Sequence, residues 1–223
     1  MICGPWGRTV GGKKEKIMIY LDHAATTPVS PEVAQTVVDA LTKGYGNPSA
    51  QYALGREARV LTDRARESVA GALGARPEQL FFTSCGTEGD NWAIRAALHQ
   101  NRRVGKHIVT TAVEHSAVLQ CVKQLEREGY TADCVKPDGE GRISAEAVLN
   151  AVREDTALVS VMLVNNETGA VFPVAEIAAG LKDRPALLHT DAVQGFLKIP
   201  FTAKSLGADY ITLSAHKIGG PKG

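Results

Sequence analysis

Apolar residues recur along this chain at two spacings. From residue 80 onward, short apolar runs alternate with stretches in which apolar residues return every three or four positions, the marks of buried strands and amphipathic helices. The runs at 80–83, 107–111, 131–135, 157–164, 186–189 and 208–213 predict strands, and the stretches at 87–99, 116–128, 144–152 and 174–181 predict helices between them. Strand and helix in alternation imply an α/β fold, a mostly parallel sheet flanked on both faces by right-handed crossover helices. The earlier part of the chain reads differently. Residues 17–21 are short, apolar and extended in character, and Asp22, His23, Thr26, Thr27 and Pro28 break them. Ser30 and Pro31 suit the cap and first turn of a helix that carries Val33, Val37, Val38 and Leu41 at helical spacing, with Gly44, Gly46 and Pro48 to stop it. A longer helix at 53–73 sets Leu54, Ala58, Leu61, Ala65, Val69 and Leu73 on one stripe and solvated charges on the other face. Residues 1–16, basic and glycine-rich, predict a flexible tail, which leaves 17–223 as one large domain.

Composition narrows the class. Of 223 residues, 44% are apolar, which suffices for a sizeable core, and no apolar run is long enough to span a membrane. Lys and Arg number 25 against 24 Asp and Glu, so no overall field draws the chain to nucleic acid or an anionic membrane, and any ligand must be recognised by local chemistry. Cys3, Cys85, Cys121 and Cys134 form no CxxC pair and no metal-ligand spacing. With no secretory signal in the tail, reduced thiols and a cytoplasmic location are expected.

Polar residues cluster where the strands end. Lys217 follows the run at 208–213 and precedes Gly219, Gly220 and Pro221, so it is presented at a strand's carboxyl edge, where α/β sheets open a ligand crevice. It is either a solvated turn lysine or a desolvated amine able to form a Schiff base with an aldehyde. Asp191 ends another strand; it either caps the segment after it or pairs with a pyridine nitrogen and keeps it protonated. Gly86 and Thr87 open a helix after residue 83, which suits either a cap or a bound phosphate. Cys85, just before them, reads as a small packed residue rather than a nucleophile. His115 follows a third strand and either serves structure or stacks on an aromatic ligand and moves protons. Asn165 and Asn166 follow a fourth. Jointly, these are the parts needed to hold pyridoxal 5'-phosphate (PLP).

The segments Tyr20-Leu21-Asp22-His23-Ala24-Ala25-Thr26-Thr27, Tyr45-Gly46-Asn47-Pro48-Ser49, Phe82-Thr83-Ser84-Cys85-Gly86-Thr87-Glu88-Gly89-Asp90-Asn91, Asn165-Asn166-Glu167-Thr168-Gly169 and Ser214 to Gly223 resemble cysteine desulfurases. These belong to the class V aminotransferase group of fold-type I PLP enzymes, and the resemblance is to the nitrogen-fixation and iron-sulfur-assembly branch. It implies that Lys217 holds the cofactor and that Gly86, Thr87, Ser214 and His216 bind its phosphate. It further implies that His115 stacks on the ring and assists proton transfer, that Asp191 pairs with the ring nitrogen, that Gln194 bonds the ring hydroxyl, and that Asn166 helps place the substrate carboxylate. The implied reaction converts L-cysteine to L-alanine and leaves sulfur on an enzyme cysteine as a persulfide, for a sulfur-acceptor or iron-sulfur scaffold protein. A full-length homodimer is implied as well, with the start of the chain contributing to a second, smaller domain. The chain stops six residues after Lys217, so the resemblance implies an inactive N-terminal fragment that lacks the nucleophilic cysteine, which none of the four cysteines replaces. It also implies that an antiparallel strand normally lies between the strands ending at Thr83 and Leu213. Another class V enzyme, such as a selenocysteine lyase or an aminotransferase, or a non-catalytic remnant, is the alternative.

Overall fold

The computed structural model describes residues 19–222; the tail expected at 1–16 lies outside them. Two helices come first. In α1 (Pro31–Thr42) the Ser30 hydroxyl accepts from the Val33 N–H, and Pro31 occupies the first turn, as the sequence predicts. Helix α2 (Ala53–Leu73) has the predicted bounds and ends on Gly74, whose φ of 68° is the left-handed geometry that glycine adopts without a Cβ penalty. Neither helix buries its apolar stripe fully. Helix α1 buries no residue, and Val38, Leu41 and Leu61 are 50%, 72% and 50% exposed.

The remainder is an α/β sandwich. Strands β1 (His107–Thr111), β2 (Thr131–Val135), β3 (Thr156–Ser160), β4 (Leu187–Asp191) and β5 (Tyr210–Thr212) form one parallel sheet in the order β2-β1-β3-β4-β5. Helices α3 (Gly86–Gln100) and α4 (Ser116–Arg127) cover one face, and α5 (Ala145–Ala151) and α6 (Val174–Leu181) cover the other. Period-two alternation divides the strands between two cores. Ile108 and Leu158 meet Ile94, Leu98, Val118 and Leu125 under α3 and α4, while their neighbours Val109 and Val159 meet Val148, Ile177 and Leu181 under α5 and α6. Each of these large side chains is almost wholly buried, which stabilises the fold by about 1.5–3 kcal/mol apiece before conformational entropy is counted. A short helix, α7 (Ala203–Leu206), carries a Thr202–Ser205 capping box that the sequence reading did not anticipate.

Three expected strands differ. Residues 19–21 are coil, with Ile19 and Leu21 78% and 84% exposed, because no strand among the described residues lies beside them; residues 17 and 18 lie outside the described residues. Residues 80–83 are also coil, although apolar. They face β5 across a cleft of about 640 Å³ whose wall includes Leu80, Phe81, Trp92 and Ile211, so their backbone has no ladder partner within reach. The run expected at 157–164 is split. Strand β3 ends at Ser160 because β1 ends beside it, yet the Val161 and Leu163 N–H groups still donate to the His189 and Asp191 carbonyls of β4 at 3.1 and 2.9 Å. Between them, the Met162 N–H points away from β4 and donates to the Glu114 carboxyl at 2.9 Å. A side chain thus replaces the strand that stops.

Candidate functional site

The carboxyl ends of the strands converge on a pocket of about 490 Å³, and every residue singled out from the sequence lines it: Gly86, Thr87, His115, Asn166, Asp191, Gln194, Ser214, His216 and Lys217. Local chain geometry accounts for each position. Asp191 is the last residue of β4, and its Oδ1 accepts from the Val193 N–H at 2.9 Å. Ser214 to Lys217 follow β5 and tighten into a 3-10 turn. Residues 22–27, from the far end of the chain, clamp that turn. The Thr27 hydroxyl donates to the His216 carbonyl at 2.8 Å and accepts from the Gly219 N–H at 2.7 Å, while Thr26 Oγ1 lies 3.2 Å from His216 Nδ1.

Lys217 is half-buried. Its Nζ donates to the Ala24 and Ala25 carbonyls at 2.5 and 2.9 Å, and burial pulls its pKa down against the opposing pull of Asp191 and Asp22. Ala24 O also accepts from Gln194 Nε2 at 2.8 Å, and Gln194 Oε1 accepts from Lys198 Nζ at 2.7 Å. Both ends of the Gln194 amide are therefore engaged within the protein. His115 caps α4, its Nδ1 accepting from the Ala117 N–H at 3.2 Å, which leaves Nε2 to carry a proton. Asn166 Nδ2 donates to Glu167 at 2.6 Å.

The start of α3 is built differently from the starts of α1, α4 and α5. Cys85 occupies its cap position without a side-chain cap hydrogen bond, its thiol instead accepting from the Ser84 hydroxyl at 3.7 Å, so the first N–H groups of a fifteen-residue helix open on the pocket. A Cβ at Gly86 would stand 3.4 Å from Ser214 Cβ and Val193 Cγ2, filling the cradle that glycine leaves between them. Cys85 is exposed rather than packed, and the Glu88 N–H and then the Ser84 hydroxyl hold its thiol pKa below the ordinary value.

Beneath the pocket lies a layer of ionisable groups that the sequence reading passed over. Asp90 on α3 is 1% exposed, and burial, followed by the neighbouring Asp191, pushes its pKa up to about 8. A carboxyl oxygen of Asp90, a ring nitrogen of His115 and a carboxyl oxygen of Asp191 all lie within 4.8 Å of one another. Burial holds His189 down to about 3, hence neutral, between Ser160 Oγ at 2.8 Å and Thr212 Oγ1 at 3.0 Å. Glu114, also buried, is pushed up to about 8 by desolvation while accepting from Thr111 and Met162. Asp90 carried a signal in the sequence: it stands four residues before Ile94 and eight before Leu98, a carboxyl on the buried stripe of α3.

A parallel sheet with a lysine, a carboxyl and an uncapped helix start at its carboxyl edge is the architecture of an α/β protein built to hold a phosphate-bearing cofactor. A family model described as Aminotransferase class-V matches residues 19–223, and the chain belongs to that family, whose members are PLP-dependent. It is 48% identical over 206 residues to a cysteine desulfurase of Trichormus azollae, covering 92% of this chain and 51% of that protein. Among solved structures, a NifS-like protein superposes with a TM-score of 0.88 at 39% identity, covering 93% of this chain and 57% of that one. SspA in complex with cysteine superposes with a TM-score of 0.87 at 34% identity, covering 92% and 59%. The chain spans about half the length of the curated relatives it matches. Among the described residues, no helix is long and apolar enough to cross a membrane.

Proposed function

We propose that this site serves a PLP-dependent cysteine desulfurase, which converts L-cysteine to L-alanine and passes the sulfur, as an enzyme persulfide, to an acceptor or scaffold protein for iron-sulfur cluster assembly. The observation that carries this reading is that a desolvated lysine, a buried carboxyl and an uncapped helix start open on one pocket. The pocket residues fit PLP. The free N–H groups at Gly86 and Thr87, with Ser214 and His216 beside them, offer donors and a favourable dipole end to a phosphate. Asp191 offers an anion to a ring nitrogen, and His115 offers a flat ring and a proton at Nε2. When bound, PLP supplies an aldehyde for amines and a ring that accepts the electron pair released at a substrate carbon. Lys217 Nζ, with its lowered proton affinity, would hold the cofactor and afterwards carry a proton at that atom. Because Lys217 and Gln194 both donate to the Ala24 carbonyl, each must release it to reach a ligand. Asn166 would orient the substrate carboxylate after giving up Glu167.

A homodimer in the cytoplasm belongs to the same reading. The apolar side chains left exposed on α1 and α2 support it, since a second copy of the chain could bury them. The test is an absorbance spectrum of the purified chain with added PLP, before and after borohydride, followed by peptide mapping. A visible band fixed by reduction onto Lys217, and displaced by L-cysteine in preference to other amino acids, is expected. Label scattered over many lysines would overturn the site assignment. A band that answers equally to any amino acid would favour an aminotransferase.

A further inference from the structure

Two buried carboxyls share the floor of the pocket, and their surroundings differ. Burial raises the proton affinity of Asp191 overall, but Asp191 is also supplied with positive character: Val193 donates its N–H to Oδ1, and His115 and Lys217 both pull the other way. Asp90 is supplied with almost none. Its Oδ1 is buried without a hydrogen-bond partner, the Thr212 hydroxyl faces it, and the nearest imidazole nitrogen, His189 Nε2, is 3.6 Å away on a ring that burial keeps neutral. The other charged or titratable groups acting on Asp90 are Asp191, Glu114 and Cys85, and each of them makes its ionisation harder. The His115 ring also lies within 4.8 Å of Asp90, but among the described residues no lysine or arginine forms an ion pair with it. Two carboxyls this close in a low-dielectric site cannot both ionise, so one proton is retained between them.

We propose that Asp90 holds that proton and thereby leaves Asp191 as the anion of the pair at neutral pH. Asp90 is a positioning residue: it acts on a ring nitrogen only through Asp191, and that last step rests on the function proposed above. The division of the proton between the two does not, since it belongs to the chain alone. The same neutral floor explains why Ser160, His189 and Thr212 are linked by hydrogen bonds below Asp90 without any formal charge. A protonated carboxyl can donate into such a layer, whereas a carboxylate there would add an uncompensated charge.

The experiment is carbon-13 NMR of the chain without PLP, labelled at the aspartate carboxyls, with each carboxyl assigned through its own β-protons and followed from about pH 4 to 10. The expected result is two separated steps, the lower on the Asp191 carboxyl and the upper on that of Asp90. Asp90→Asn should delete the upper step and leave the lower nearly in place, because Asp90 is already neutral when Asp191 titrates. Asp191→Asn should lower the Asp90 midpoint by more than about one unit, as the like charge is removed. An upper step that resides on Asp191, or two carboxyls that titrate together in the ordinary acid range, would overturn the proposal. The residue-by-residue assignment in the unaltered chain decides the matter even if a variant fails to fold. Loss of PLP binding with this pattern intact would count against the proposed function and leave the proton assignment standing.

Discussion

Glu114→Gln isolates a term in stability that runs opposite to the usual carboxylate effect. Glu114 is fully desolvated, and its pKa is raised from the ordinary 4.5 to about 8. The unfolded chain therefore loses this proton first, and folding above that ordinary value must take a proton up. The stabilisation is complete below the unfolded pKa and is lost steadily as pH rises towards the folded one. At about 1.36 kcal/mol per pH unit, the loss between about pH 5 and 8 reaches roughly 4 kcal/mol, a large fraction of a domain's net stability. Glutamine keeps an oxygen to accept from the Thr111 hydroxyl and the Met162 N–H, bonds of 2.7 and 2.9 Å, but has no proton to exchange. Urea denaturation at intervals across that range should show the parent losing stability faster than the variant, so that their difference grows with pH in the variant's favour. His189, with its lowered pKa, acts in the opposite sense, adding stability above its unfolded value that is lost on acidification, but it does so in both proteins and cancels. Parallel stability profiles would refute the reasoning and place a charged Glu114 in the folded chain.

Three further outcomes follow from the same contacts. Thr27→Val removes the two hydroxyl hydrogen bonds of Thr27 to the turn bearing Lys217, roughly 2 kcal/mol in all, and should weaken PLP binding about thirtyfold by fluorescence titration; unchanged affinity would mean that the remaining contacts, among them the Thr27 N–H to the His216 carbonyl, suffice. Asn165→Ala strips the acceptor used by the Glu167 and Thr168 N–H groups and the donor to the Val113 carbonyl, and should accelerate hydrogen exchange at 167–169 before any global loss of structure. Gly105→Ala would press a Cβ into the Asp155 backbone where β1 and β3 begin, and should lower the urea midpoint by an amount equivalent to about 1–3 kcal/mol.

What could be read from the sequence depended on whether the information was local. Helix α2 appears with its predicted ends because its stripe and the left-handed Gly74 lie within the element itself. Strands β1 and β2 and helix α6 likewise have their predicted bounds. Lys217, Asp191, His115 and the Gly86-Thr87 turn are gathered as expected because strand ends in a parallel sheet share one edge. Residues 80–83 failed because extended character is not a strand until another backbone stands beside it, a fact about distant residues. The split of 157–164 failed for a related reason, since the Glu114 side chain that takes the Met162 N–H lies in another loop. Asp90 and His189 were passed over because depth below the pocket is set by the packing of α3 on β4 and β5. A titratable residue on an apolar stripe was the only local sign of it.

The clamp on the lysine turn also has a history in time. Its hydrogen bonds join residues 189 to 193 positions apart, whereas adjacent strands pair over far shorter separations. At ordinary rates of synthesis, the segment at 22–27 leaves the ribosome about 10–40 seconds before the turn it must grip. Strands β1 to β4 can pair in that interval, but the pocket cannot form. A cofactor can therefore be seated only after both segments are present, and its capture reports that residues 22–27 have met the turn at 214–217.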